Sequence, residues 1–235
     1  MLEPIKMILD KDEKEITSGK CCVCGKEWNI EDYPRKSIKV KSRYLDGMPV
    51  DFSVQHMQSV NYCKYCNNVT VFERPFSDMY GVRDKCKEEG YIKILNSDEP
   101  IEIKRIKLAE YKFKDTVGND FIMPIIQLYW YYDKINDIKQ RDCYGDKLIS
   151  FFNNNKDYII KIKAHQLSAI KAESFNLYLH MILIDIYRRR RNFQKAIDLI
   201  KYGKELMYIK DEDIIEMKYY NYQLNLCNIK DSRRY

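Results

Sequence analysis

Two matched cysteine doublets, Cys21-Cys22-Val23-Cys24-Gly25 and Cys63-Lys64-Tyr65-Cys66-Asn67, constrain this chain more than any other feature. Thiolates two residues apart are what one tight turn presents to a tetrahedral ion. Two such turns complete a Zn²⁺ coordination sphere and leave no position open for water. Cys21, Cys24, Cys63 and Cys66 are therefore the expected ligands of one structural zinc site. A rubredoxin-like iron centre uses very similar doublets, so iron, with a redox role, is the alternative. Cys22 is set aside, because its spacing to Cys24 leaves one residue between ligands and closes a poorer turn. Dithiol redox chemistry lacks its expected βαβ context. Cys86, Cys143 and Cys227 stand alone and read as core or surface thiols.

Eight cysteines can also mean a disulfide framework, but such frameworks belong mostly to short secreted chains. The stretch Met1 to Lys6 has no basic segment running into an apolar one, so no secretion signal is expected. The most apolar run, Phe121 to Tyr132, contains Pro124 and Gln127 and stops at Asp133. It falls well short of the roughly 20 residues a membrane helix needs. A cytoplasmic protein with no membrane partner and with reduced thiols is the expectation.

The 235 residues are enough for a small metal module plus a larger domain, and only 8 are Gly and 6 Pro, as suits a helix-rich fold. Net charge is +6, from 41 basic and 35 acidic residues. An excess this mild permits anionic partners without demanding them.

Between Trp28 and Val71 the apolar residues alternate: Ile38 and Val40, then Val50, Phe52 and Val54, then Val60 and Tyr62, then Val69 and Val71. That period reads as short strands, with Asp46-Gly47 and Pro49 as a turn. The second doublet falls at the tip of a hairpin between Val60/Tyr62 and Val69/Val71. Gly25 suits the positive-φ position after the first doublet, and Asn67 is the next best residue for the second. Ser77 to Glu89 reads as a short helix that Gly90 ends. Residues 91 to 118 mix a strand rhythm at Ile101/Ile103 with a helix rhythm from Ile106 to Phe113, bounded by Asp98-Glu99-Pro100 and Val117-Gly118-Asn119. From Asp120 onward only helices are expected.

In that half, Leu183, Ile184, Tyr187, Ala196 and Ile200 follow a tetratricopeptide-like pattern, and Phe193, Ala196, Ile197, Ile200, Gly203 and Met207 form one apolar stripe. Met217 recurs one 34-residue period after Leu183, in a last helix from about Glu212 to Cys227 that reads as a cap. Ala164 sits in an earlier helix from about Lys156 to Lys171. An irregular helical bundle is the plainer reading of the same stripes. The expected fold is α+β: a zinc-knuckle β module over residues 1–76, a connecting segment over 77–118 and an all-α tetratricopeptide-like domain over 119–235.

Arg188-Arg189-Arg190-Arg191 is the densest charge and falls at a helix end, where cations suit the helix dipole. The same four arginines are the candidate contact for an anion, a nucleic acid or another partner. His56 would need an acidic partner and an open metal position to act, and His165 and His180 lie on helices with no nucleophile pattern nearby. There is no phosphate-cradling glycine loop, HExxH or nucleophile elbow, so no residue is assigned to catalysis. The 20 tyrosines mostly follow helical stripes and are expected in the core.

The stretch from Cys21 to Phe72 resembles a bacterial family known as domain of unknown function 2225. The resemblance lies in Cys21 to Gly25, in the basic run Lys36-Ser37-Ile38-Lys39-Val40-Lys41-Ser42-Arg43, in Val60-Asn61-Tyr62 and in Cys63 to Cys66, with Ile186-Tyr187-Arg188 similar to the family's helical tail. Asn67 replaces the family's usual second glycine, and Tyr44-Leu45-Asp46 replaces an acidic, threonine-containing run. The resemblance implies a bacterial cytoplasmic metal-binding protein and carries no reaction. Taken together, the expected function is a non-enzymatic, zinc-stabilised adaptor that binds a protein or peptide through its helices. A nucleic-acid-associated zinc-ribbon protein is the first alternative and a metal-dependent redox protein the second.

Overall fold

Apolar stripes at helical spacing need partners of the same kind, and the described part of the chain satisfies them with helices. The computed structural model describes residues 18–21, 23–29, 60–63, 65–66, 68–71, 84–114, 119–155, 170–206 and 215–233. Four three-residue strands come first: β1 (Ser18–Lys20), β2 (Glu27–Asn29), β3 (Val60–Tyr62) and β4 (Val69–Val71). After a 3₁₀ turn at Asp84–Lys87 come helices α1 (Glu89–Leu95), α2 (Ile101–Phe113), α3 (Asn119–Lys134), α4 (Ile138–Asn154), α5 (Ile170–Arg189), α6 (Phe193–Leu206) and α7 (Ile215–Asn228). Among the described residues no helix is long and apolar enough to cross a membrane.

The α+β expectation is corrected by this architecture. The described residues are predominantly helical, and strand structure is confined to two separate antiparallel pairs, β1–β2 and β3–β4. No β module forms from them, because each pair is three residues long and has no third strand among the described residues, and an isolated two-stranded hairpin is at best marginal in water. The alternating stretch from Ile38 to Val54 lies outside the described residues. The strand rhythm at Ile101/Ile103 belongs to a helix: the buried positions of α2 are Ile103, Ile106, Leu108, Ala109, Lys112 and Phe113, which follow a helical period.

Gly90 does not end a helix but sits at the second position of α1. A Cβ there would lie 2.6 Å from the ring of Tyr111, so glycine is what lets α1 and α2 approach. Pro100 precedes α2, and α3 opens at Asn119, at the boundaries expected from the sequence.

Three apolar clusters follow one another along the chain. Val69, Tyr91, Leu108, Ala109 and Phe113 join β4 to α1 and α2. The central cluster takes Ile103 and Ile106 from α2 and most of α3, where Ile122, Ile125, Ile126, Leu128, Tyr129 and Trp130 are all buried. A helix apolar on every side belongs inside. The third cluster packs Ile184 of α5 against Ala196, Ile200, Met217 and Tyr220. Leu183 and Ile184, adjacent in sequence, thus face different clusters, and α5 is shared between them as α2 is shared between the first two.

The turns that end α3, α5 and α7 use one backbone solution. Asn136, Arg191 and Lys230 have φ of 59°, 60° and 54°. Around each, two amides turn back onto the preceding helix, as in Arg191 N to Arg188 O (2.9 Å) and Asn192 N to Tyr187 O (2.8 Å). The arginine run at the α5 terminus diverges from there into three elements. Arg188 is fully buried, donating to Asp185 Oδ1 (2.6 Å), Gln223 Oε1 (2.8 Å) and the carbonyls of Asp231 (2.8 Å) and Arg233 (2.7 Å). Arg189 pairs with Asp133 of α3 at 2.6 Å, and Arg190 with Asp146 of α4 at 2.6 Å. Arg191 is exposed.

Truncating Arg188 to alanine removes the 2.6 Å partner of the buried Asp185 carboxylate, leaving it Arg189 at 3.9 Å, and is expected to lower unfolding stability by about 3 kcal/mol. Arg191→Gly relieves the left-handed backbone and is expected to raise stability by about 0.5 kcal/mol. Denaturant unfolding of both variants reads the contrast.

His180 is buried in the same region, with Nδ1 3.0 Å from the Tyr220 hydroxyl. Gly203 makes the room, since a Cβ there would lie 2.5 Å from Tyr220 Oη and 2.6 Å from His180 Cε1. Burial pushes the imidazole down to about 4 from an ordinary 6.5. Between those values the unfolded chain takes up a proton that the folded chain refuses, so stability falls as pH drops through that window. The loss is up to about 3 kcal/mol. Comparison of wild type with His180→Gln at pH 7 and pH 4.5 is expected to show a shallower acid dependence in the variant.

Candidate metal centre

Both cysteine doublets sit in turns of the same construction. In the first hairpin Lys20 faces Glu27 across the β1–β2 pair, and in the second Tyr62 faces Val69 across β3–β4. The first cysteine of each doublet follows its strand directly. Its amide closes the turn onto the carbonyl five residues on: Cys21 N to Lys26 O (2.9 Å) and Cys63 N to Asn68 O (2.8 Å). Gly25, at φ 72°, supplies the left-handed residue of the first turn. Asn67, Cys22, His56 and His165 lie outside the described residues.

The two turns meet tip to tip and bring Cys21, Cys24, Cys63 and Cys66 together, with all four sulfurs within 4.8 Å of one another. Cys21 Sγ lies 3.7 Å from Cys66 Sγ, and Cys24 Sγ lies 3.7 Å from Cys63 Sγ. A disulfide requires about 2.05 Å. A tetrahedron with metal–sulfur bonds of about 2.3 Å has edges of about 3.8 Å, which matches these two separations, and the remaining ones stay within 4.8 Å. Cys21 and Cys63 are buried and the other two half-buried.

Burial pushes the Cys21 thiol up, but the backbone N–H groups of Cys24 and Val23 aim at it and bring it down to about 7. Burial also pushes Cys66 well above the usual thiol range, with the neighbouring Cys21 charge adding to it, and burial raises Cys63 as well. Cys21, Cys63 and Cys66 therefore do not all stand as thiolates here without a cation among them, and a bound metal would replace their protons.

The centre rests on the helices through polar contacts that the sequence reading did not single out. Asn68 is buried, and its Nδ2 reaches Cys21 Sγ at 3.9 Å. Its Oδ1 accepts from Lys112 Nζ of α2 at 2.9 Å and from Cys86 Sγ at 3.2 Å. Lys112 Nζ also donates to the Val69 carbonyl at 2.7 Å. The signal for Lys112 was its place on a buried stripe, three residues after Ala109 and four after Leu108.

Cys86 is thus a neighbour of the four-sulfur cluster, Cys143 is exposed on α4, and Cys227 is buried on α7. His180 belongs to the helical core rather than to any cluster of chemical groups. The arginine run is not gathered into one patch, since Arg188, Arg189 and Arg190 each hold a different carboxylate. No family model, curated protein or solved structure matches the chain.

The cluster can hold a metal ion. Because the hairpin carrying Cys63 packs Val69 against α1 and α2, loss of the metal is expected to loosen those helices too. Cys63→Ser, or wild type with excess chelator, is expected to unfold at lower temperature than the metal-replete protein by several degrees. An unchanged unfolding temperature after verified metal removal would contradict this.

Proposed function

We propose that this protein is a non-enzymatic adaptor, a zinc-stapled helical scaffold that binds a protein or peptide through its helical domain. The observation that carries the reading is the convergence of four cysteine sulfurs within 4.8 Å of one another, two of the separations being 3.7 Å. Four protein thiolates close a zinc sphere and give the metal a structural role, which leaves function to the surfaces it holds in place. Those surfaces include exposed apolar side chains flanking the α3–α4 turn, Ile135 at 51% and Ile138 at 53% exposure. Beside the centre, Tyr65 is half-exposed between two of the cysteines, with the Lys26 ammonium 4.9 Å from its ring centroid. Membership of the family called domain of unknown function 2225, and a bacterial cytoplasmic setting, are part of the same proposal, on the doublets and the basic run between them.

Affinity purification with mass spectrometry is expected to recover a stoichiometric partner, and to lose it in an Ile135→Asp/Ile138→Asp variant of unchanged helical content. The purified protein is expected to be colourless with about one zinc per chain. No partner across growth conditions, or instead nucleic acid that salt strips off steeply, overturns the adaptor reading. A red protein with visible absorbance reassigns the metal to iron.

A further inference from the structure

Lys112 is 2% exposed, and no carboxylate among the described residues pairs with it. Its ammonium has two neutral acceptors, Asn68 Oδ1 at 2.9 Å and the Val69 carbonyl at 2.7 Å. Shutting a full charge away with neutral oxygens alone is costly, and such groups are retained where a counter-charge stands near. Among the described residues, the four-cysteine cluster stands one side chain away, since Asn68 touches both Lys112 Nζ and Cys21 Sγ. Four thiolates around one divalent ion carry a net charge of about −2.

Asn68 is placed to connect the two. Its amide oxygen faces the ammonium and its amide nitrogen faces Cys21 Sγ at 3.9 Å, so the positive end of its dipole points at the sulfur. Outer partners of this kind orient ligands and tune affinity in metal sites generally.

We propose that Lys112, acting through the Asn68 amide, is the outer cation of the four-cysteine centre, so that metal binding and the seating of α2 against the β3–β4 hairpin stabilise each other. The proposal rests on Cys21, Cys24, Cys63 and Cys66 being metal ligands. Lys112 is then a positioning residue whose contribution has opposite signs in the two states. With metal bound its charge is matched. With all four thiols protonated, at a pH below the Cys21 value of about 7, it faces no counter-charge from them, and removing it relieves the protein.

The test is a cobalt titration of the purified full chain, followed by its sulfur-to-cobalt absorption and by competition with a chelator, on wild type, Lys112→Met and Lys112→Arg. Lys112→Met is expected to bind cobalt at least about tenfold more weakly, with the four-sulfur band unchanged in shape. Its thermal unfolding in excess chelator is expected to match or exceed that of wild type, and Lys112→Arg to recover most of the affinity. If wild type binds cobalt and Lys112→Met binds it within about threefold of wild type, the proposal falls and the metal centre stands. Lys112→Met that fails to fold in chelator where wild type folds also overturns it, because the ammonium then serves the helices without the thiolates. If wild type binds no cobalt, the metal reading falls and takes this proposal with it.

Discussion

The contact between the Cys21–Cys24 turn and the Cys63–Cys66 turn is the constraint on which the first part of this structure depends. Each turn is carried by a pair of three-residue strands, too little to persist alone. What they lack in hydrogen bonds, an ion held among the four sulfurs would supply. Joining residues some forty positions apart removes freedom from the unfolded chain in the way a cross-link does, and the effect grows slowly with the loop enclosed. The second turn is also anchored from outside, since Val69 is buried among Tyr91, Leu108, Ala109 and Phe113. The centre is therefore built onto α1 and α2, and the polar link from Cys21 through Asn68 to Lys112 crosses the same junction.

The helical part is ordered by sharing rather than by a single core. Helices α2 and α5 each offer residues to two apolar clusters. At the end of α5 three consecutive arginines project into different elements, Arg188 toward α7 and the segment after it, Arg189 toward α3 and Arg190 toward α4. The hydrogen bonds of the buried Arg188 guanidinium offset the cost of its desolvation and tie α5 to α7 and the segment after it.

The parts of this arrangement that were legible in the sequence are those fixed by local spacing. Cysteines two apart announce a ligand turn whatever surrounds them, and the Pro100 and Asn119 boundaries follow from backbone chemistry. The stripe Ala196, Ile197 and Ile200 likewise marked the face that α6 buries. Contacts set by distant partners were not legible. Gly90 reads as a helix end until Tyr111, twenty-one residues on, is seen to need the space. The arginine run reads as one basic patch until three acids from three helices take it apart. Lys112 looks like an ordinary surface lysine in a basic chain, and only its place on a buried stripe points inward. The fold class failed for a related reason, since alternation in sequence marks strands but does not say whether enough of them meet to form a module.

The most direct measurement of the central claim is X-ray absorption at the edge of the metal carried by the purified protein. The account expects one metal per chain with a first shell of four sulfurs at about 2.3 Å. A shell containing nitrogen or oxygen ligands, or a protein that retains no metal, would contradict it.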